Sequence, residues 1–519
     1  MVAIHYLQWI KEDKKLPPGP RRLPLLGNLL QVPVLRPYPK FREWAKEYGP
    51  VFSLRLGPQT VVVLNSAEAA HEILDNRARI YSSRAPPHVA HDIVSDGQRL
   101  VFLPYDKEWK AAKKTLQPLF TTSKTREMRT TQELESRVVL YDLMNHGEQS
   151  FAPEFRNLND EVPEQHWFAI IRRYATYGNR VNRVVNNPHV QKIYDVLANF
   201  VHVGQPGNYI ADAFPIFRKL PDCLAPWRIA ARKMHEWEME LWGGLLERCK
   251  EEIRQGKEHV TNYVVTYLRQ RMDAGIEDAP GKGILPNGHL TDKLLAYCAG
   301  TVLEAGRRKL REEIEAKVGD DRMPGFEDEG NLPYLVACIK ETLRRRPPTI
   351  MGIPHSSDEE DTYEGYVIPR NSTVIGNVWA IHMDPVTYPN PFAFNPDRFL
   401  EKEGWSSGPD FKGRDHFVFG WGRRFCVGQN IAEASLFLVL SRIIWAFDLQ
   451  TLKDTKTGQP IIPDINDEEA TYTDGFVSVP KAYPLAFVPR SEKRAQIVRK
   501  AFEAAQEEWE YLGLDRDVR

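Results

Sequence analysis

The chain has 519 residues, and its 69 Lys and Arg against 70 Asp and Glu leave a formal charge of −1, with no basic surplus for a nucleic-acid backbone. Five cysteines (Cys223, Cys249, Cys298, Cys338 and Cys426) form an odd set without CxxC spacing, which argues against a disulfide framework and for a reducing compartment. At about 150 residues per domain the length would allow about three domains. No Gly/Ser linker, low-complexity block or repeat divides the chain, so one large, mainly helical unit is expected over 21–490. It follows an N-terminal segment, 1–20, and precedes a charged helical tail, 491–519.

The first ten residues carry Leu7, Trp9 and Ile10 but also His5 and Gln8, and 11–15 is charged. A spanning helix needs about 20 apolar residues, so no full membrane anchor is expected. Leu16-Pro17-Pro18-Gly19-Pro20 reads as a stiff polyproline-like hinge. A short amphipathic helix is predicted over 39–48, stopped by Gly49-Pro50, with strands over 51–56 and 60–64 on either side of Gly57-Pro58. Asn65 with Glu68 reads as a capping box for a helix reaching Leu74. The stretch 84–104 is long and irregular, as ligand-contacting loops are. Asp106 then opens a helix that sets Trp109 and Lys113 four apart, on one face.

Helical periodicity continues over 130–146, 188–203 and 227–250, while 151–165 is polar and 172–178 gives no pattern. The run 292–305 is almost free of charge, as a helix buried on most sides would be, and Arg307-Arg308-Lys309 follows it without a break. Next comes a helix with an apolar face of Leu335, Cys338, Ile339, Thr342 and Leu343, ended by Pro347-Pro348. Glu341 and Arg344 lie three apart on its other side. Strand-like pieces around His355 and over 366–369 suggest a small sheet, and Pro396-Asp397-Arg398-Phe399 follows.

The most informative stretch is Phe419-Gly420-Trp421-Gly422-Arg423-Arg424-Phe425-Cys426-Val427-Gly428, three glycines around one cysteine, leading into an apolar run over 431–449. It predicts a tight loop feeding a buried helix. A sulfur just before a helix N-terminus, with Arg423 and Arg424 beside it, is placed to be a thiolate, and a thiolate takes a metal or an electrophile.

Phe419, Gly422, Arg424, Cys426 and Gly428 match the pattern FxxGxRxCxG, a coincidence expected on the order of once in a million placements. Preceded in order by the ExxR pair Glu341 and Arg344 and the PDRF segment, they make the chain resemble the cytochrome P-450 family of haem-thiolate monooxygenases, in the style of its fungal microsomal members. The resemblance covers roughly 16–490. It implies the cytochrome P-450 fold, mainly α with a minor β lobe. It also implies haem b (iron protoporphyrin IX) with the Cys426 thiolate as axial ligand, pushing electron density toward the iron. Trp109, Lys113, His355 and Arg424 would contact the haem propionates, Phe419 would shield the sulfur, and Gly422 and Gly428 would let the backbone approach the macrocycle. Glu341, Arg344 and Arg398 would be a structural triad holding the cysteine loop, and the tip at 473–476 would face substrate.

The implied reaction inserts one oxygen atom from O2 into a small hydrophobic substrate, as in the hydroxylations of fungal secondary metabolism. NADPH-cytochrome P-450 reductase would supply the electrons, at the endoplasmic reticulum surface through a peripheral membrane contact, or in the cytoplasm. No residue of the chain is assigned a catalytic role. Two departures stand out. The family has WxxxR where Lys113 stands, so a point charge replaces a bidentate fork. After Ala305-Gly306 the family continues into an acid and a threonine, which are absent here together with a length of helical chain. An internal gap after Gly306 is therefore expected, and with it poor coupling of NADPH to product. Two alternatives stay open: a haem-thiolate isomerase, dehydratase or peroxygenase, and an impaired haem binder from a truncated gene model.

Overall fold

The structure, a computed structural model, describes residues 13–117, 129–146, 188–205, 207–255, 271–272, 311–400, 405, 411–451, 469, 472–473, 477–478 and 485–511. The nearly uncharged run 292–305, the Gly306-Arg307 junction, the segments 151–165 and 172–178, and 474–476 of the expected tip lie outside these residues.

Helix α1 (Pro37–Tyr48) starts at a proline, whose fixed φ suits the first turn, and buries Tyr38, Phe41 and Trp44 at three-residue spacing. It lies on a sheet formed by the hairpin β1 (Val51–Leu56) and β2 (Gln59–Leu64). The third and fourth strands come from far along the chain, in the order β1-β2-β6-β3. Strand β6 (Thr373–Gly376) runs parallel to β2, and β3 (His355–Ser356) closes the other edge. Strands β4 (Asp361–Tyr363) and β5 (Tyr366–Ile368) make a separate hairpin. This is the minor β lobe expected from the sequence.

After β2 the expected cap shifts by one residue. Ser66, not Asn65, accepts the Ala69 N–H and caps α2 (Ala67–Ala70), because Asn65 is engaged elsewhere, accepting from the Asn377 amide at 2.9 Å. The helix then widens into a π-helical turn, His71–Asn76. The stretch expected to be irregular contains a second such turn, Val89–Val94.

The rest is helical. Helix α3 (Lys107–Leu116) is capped by Asp106 as expected, and α4 (Arg129–His146), α5 (Pro188–Gly204) and α6 (Pro226–Arg254) match the periodic segments. Helices α7 (Arg311–Lys317) and α8 (Pro333–Arg345) lead to α9 (Gln429–Ala446), which is buried on nearly all sides. A helix apolar all round belongs at the centre of a domain, and α9 contributes more than any other element to the main core, which also holds Trp109, Leu245, Leu335 and Ile339. Strands β7 (Phe447–Thr451) and β8 (Leu485–Pro489) pair next to it.

The charged tail is a docked helix, α10 (Glu492–Tyr511). Phe502 stacks on Tyr141 of α4 with ring centroids 3.8 Å apart, and Arg494 donates to the Trp445 carbonyl at the end of α9 at 2.8 Å. Among the described residues no helix is long and apolar enough to cross a membrane.

Candidate functional site

The cysteine loop is a turn built on two left-handed glycines, Gly420 (φ 78°) and Gly422 (φ 56°), a conformation that side chains rarely adopt. The Cys426 N–H donates to the Phe419 carbonyl at 2.9 Å and closes the loop. Gly428 caps α9, so Cys426 lies two residues before the cap, exposed and in no disulfide. Phe419 and Phe425 face each other across the loop with ring centroids 6.5 Å apart. Gly428 has an ordinary φ of −85°. At Gly422 a Cβ would meet the Leu74 carbonyl oxygen at 2.3 Å.

Beside the loop the fold gathers positive charge. Arg424 donates to the Ser82 and Leu103 carbonyls at 2.6 Å each, and its guanidinium lies 4.2 Å over the Trp109 ring. Lys113, one helical turn from Trp109, reaches the Arg423 carbonyl at 2.5 Å and sits 5.1 Å over the same ring. Trp109, Lys113 and Arg424, singled out separately in the sequence, therefore meet. His355 joins them from β3, with Nδ1 2.7 Å from the Tyr81 carbonyl.

Sequence reasoning missed a further member, Arg84, which donates to the Ile353 and Pro354 carbonyls at 2.5 and 2.9 Å. Its Nε is buried without a hydrogen-bond partner. Nothing in Ser83-Arg84-Ala85-Pro86 distinguishes it from a surface arginine.

Among the described residues no carboxylate pairs with Arg84, Arg424 or Lys113. Burial lowers Arg84 to about 9; burial first, then Arg84, lowers Arg424 to about 8; Lys113 is lowered by burial and then by Arg424 and Arg423. An arginine gives up its proton only with great difficulty, so such burial is a demand for a negative partner. His355 is held neutral by burial and by the two arginines. With a carbonyl at Nδ1, that nitrogen carries the hydrogen and Nε2 can only accept, so His355 donates to an anion only as the imidazolium.

The ExxR pair is buried rather than solvated. Arg344 grips Glu341 with two hydrogen bonds of 2.7 and 2.8 Å, and Arg398 reaches the same carboxylate at 3.3 Å. The Asn395 N–H also donates to Glu341, while Arg344 ties down the carbonyls of His382 and Pro391 at 2.8 and 2.9 Å. The residue before Glu341 on α8, Lys340, pairs at 2.7 Å with Asp415, at the root of the cysteine loop.

The family model for cytochrome P450 matches residues 17–307 and 305–465. The chain belongs to the cytochrome P450 family. It is 51% identical to cytochrome P450 monooxygenase 231 of Postia placenta, over 97% of this chain and 94% of that protein. It is 35% identical to monooxygenase virE of Hypocrea virens, covering 98% and 90% of the two chains, and 33% identical to monooxygenase fogE of Aspergillus ruber, covering 94% and 89%. This P450 is accordingly an oxidoreductase of the monooxygenase type, in a family that uses haem, a redox partner and small organic substrates.

The residues fit the family's cofactor. An exposed sulfur before a helix N-terminus, an aromatic face and a set of cations that no described carboxylate pairs suit a metal in a planar ring that carries two carboxylates.

The two family matches meet at the junction that the sequence marks as a gap. The alignment with the Postia protein runs over 538 positions, whereas 97% of 519 is about 503 residues, so about 35 positions of the relative have no counterpart here.

Proposed function

We propose that this P450 binds haem b with the Cys426 thiolate as axial ligand and the propionates on Arg84, Arg424 and Lys113, against Trp109. It would hydroxylate a small hydrophobic metabolite of fungal secondary metabolism, using electrons from NADPH-cytochrome P450 reductase. When bound, haem supplies the activation of O2. The protein's own part is to keep a sulfur deprotonated before α9, to neutralise two carboxylates, and to hold the loop rigid from α8 through Lys340 and Asp415.

The observation that carries this reading is the buried cation set that no carboxylate pairs among the described residues, placed beside the only described cysteine in a glycine-rich loop. The test is the reduced carbon-monoxide difference spectrum of the haem-loaded protein. The thiolate-type band is expected in the parent and absent in Cys426→Ala; a mutant that keeps the band refutes the ligand assignment.

One observation favours a second, narrower reading. The interrupted family match at 305–307 supports a missing segment, and with it the acid and threonine expected after Gly306. The chain as written then couples NADPH poorly to product and releases reduced oxygen. Sequencing the spliced transcript across Gly306-Arg307 tests this: an added segment identifies a gene-model gap. If the junction is real, tight coupling in the purified protein contradicts the reading.

Membrane contact rests on an apolar patch. Leu25 and Leu30 (72% exposed each), Val34 and Leu35 adjoin Ile210 and Ile216, since Phe214 packs against Gly57, whose N–H donates to the Leu26 carbonyl at 3.2 Å. Co-flotation with phospholipid vesicles is expected, and its loss in Leu30→Glu/Ile216→Glu; unchanged flotation would count against the patch.

A further inference from the structure

Asp75 lies about 350 residues before the cysteine, on the π-helical turn His71–Asn76, and no sequence motif marks it. Single π-turns within helices are frequent at functional sites. This one presents a carboxylate to the cysteine loop. The Gly422 N–H donates to Asp75 Oδ1 at 2.5 Å, Arg414 donates to the same oxygen at 3.3 Å, and His71 Nδ1 lies 3.0 Å from Oδ2. Arg414 also donates to the Gly420 carbonyl at 3.2 Å and lies 5.3 Å over the Phe425 ring. One carboxylate and one guanidinium therefore hold both left-handed glycines and the aromatic residue next to Cys426.

We propose that Asp75, with Arg414, is the clasp that positions the Cys426 loop, a positioning residue for the thiolate ligand. The proposal rests on Cys426 being that ligand. The physical need follows from the turn. Two glycines at positive φ have many other conformations open to them, so the turn holds one shape only if outside contacts select it. Gly422 packs against the Leu74 backbone without room for a methyl group, which sets the distance. The charge-assisted hydrogen bond from Gly422 to Asp75 sets the direction, and charge-assisted bonds are about twice as strong as neutral ones. Two residues further on is Arg424, and four further on is Cys426, so a turn that swings moves a propionate cation and the sulfur together.

The test uses the haem-loaded full chain and reads the ratio of thiolate-type to thiol-type band in the reduced carbon-monoxide spectrum, well below the melting temperature. Asp75→Ala should lower that ratio roughly tenfold or more, the factor expected for about one charge-assisted hydrogen bond. Asp75→Asn keeps an acceptor for Gly422 and loses the charge toward Arg414, so it should fall between Asp75→Ala and the parent. Glu72→Ala, on the same turn but facing Asn76 and Arg77, should leave the ratio unchanged whatever it does to the melting temperature. If Asp75→Ala does not fold, Asp75→Asn and Arg414→Gln read the same ratio. A parental ratio in the Asp75 and Arg414 variants, or an equal fall in Glu72→Ala, overturns the clasp. Retention of the thiolate band in Cys426→Ala instead overturns the ligand assignment on which it rests.

Discussion

Arg344 and Arg398 pair with Glu341, whereas Arg84 and Arg424 form no ion pair among the described residues, and Asp106 and Asp358 act on Arg424 only from a distance. Both groups are buried, and both donate to several backbone carbonyls. The first group is complete: its charges offset each other, and its remaining donors bind the strands of chain that lead to the cysteine loop. The second is open, and burying its cations destabilises the protein until an anion arrives. The difference separates scaffold from site more clearly than any single motif. It also means that deleting a residue should have opposite consequences in the two places.

The largest effect is expected in the complete group. Glu341→Ala leaves buried Arg344 and partly buried Arg398 without a counter-charge, and breaking a buried ion pair costs about 3–5 kcal/mol. The urea midpoint should drop by a corresponding amount in haem-free and haem-loaded protein alike. A midpoint that falls only in the loaded protein would move the triad into the site and dissolve the distinction.

Acid should come next. His382 lies between Arg344 and the cysteine loop, its Nδ1 3.0 Å from the Arg344 carbonyl and its Nε2 accepting from the Phe417 N–H at 2.8 Å. Burial, then His416 and Arg344, lowers its affinity for a proton; burial and Lys340, opposed by Asp415, lower His416 to about 4. His355 is lowered by burial and the two arginines of the open group. All three are neutral in the fold and take up a proton on unfolding below about 6.5. The unfolded chain then binds more protons, so this stability is present above pH 6.5 and is lost as pH falls toward 4. The slope is about 1.4 kcal/mol per pH unit for each histidine. Carboxylates placed beside His355 would raise it, so haem-loaded protein should show a shallower acid slope than haem-free protein in equilibrium unfolding from pH 7 to 4. Identical slopes would remove His355 from the anion site.

Arg424→Ala sharpens the contrast. It removes a buried cation that no described carboxylate pairs, so the haem-free midpoint should hold or rise. Haem should dissociate faster by about 1.5–3 kcal/mol, the worth of a hydrogen bond to a charged group. Transfer of haem to apomyoglobin measures the rate, and a stability loss like that of Glu341→Ala would break the comparison. The smallest effect belongs to Lys113→Ala, about 1 kcal/mol or less by the same assay, because a half-exposed lysine offers one point-charge contact where arginine offers a fork. Equal or reversed losses would redraw the cation set.

Local pattern made much of this legible. The cysteine loop, the ExxR pair and the helices around Trp109 and Cys338 are carried by spacing within a few residues, and spacing survives in one dimension. Arg84, Asp75 and Arg414 were not legible, since their roles come from contacts across about 270–350 residues of chain. The motif named Arg424 but could not show that no described carboxylate pairs with it. Asn65 was misread for the same kind of reason: a tertiary partner, Asn377, takes the oxygen that local rules assign to the helix. A second contact of Gly422 was not legible either: its missing side chain makes room for the Leu74 backbone.

The central claim is that the open cations form a seat for two carboxylates beside Cys426. Titrating the haem-free protein with haem and with haem dimethyl ester, whose propionates carry no charge, tests it most directly. The account predicts that the ester binds at least roughly tenfold more weakly to the parent, and that this gap narrows in Arg424→Ala. Equal affinity of the parent for both would contradict it.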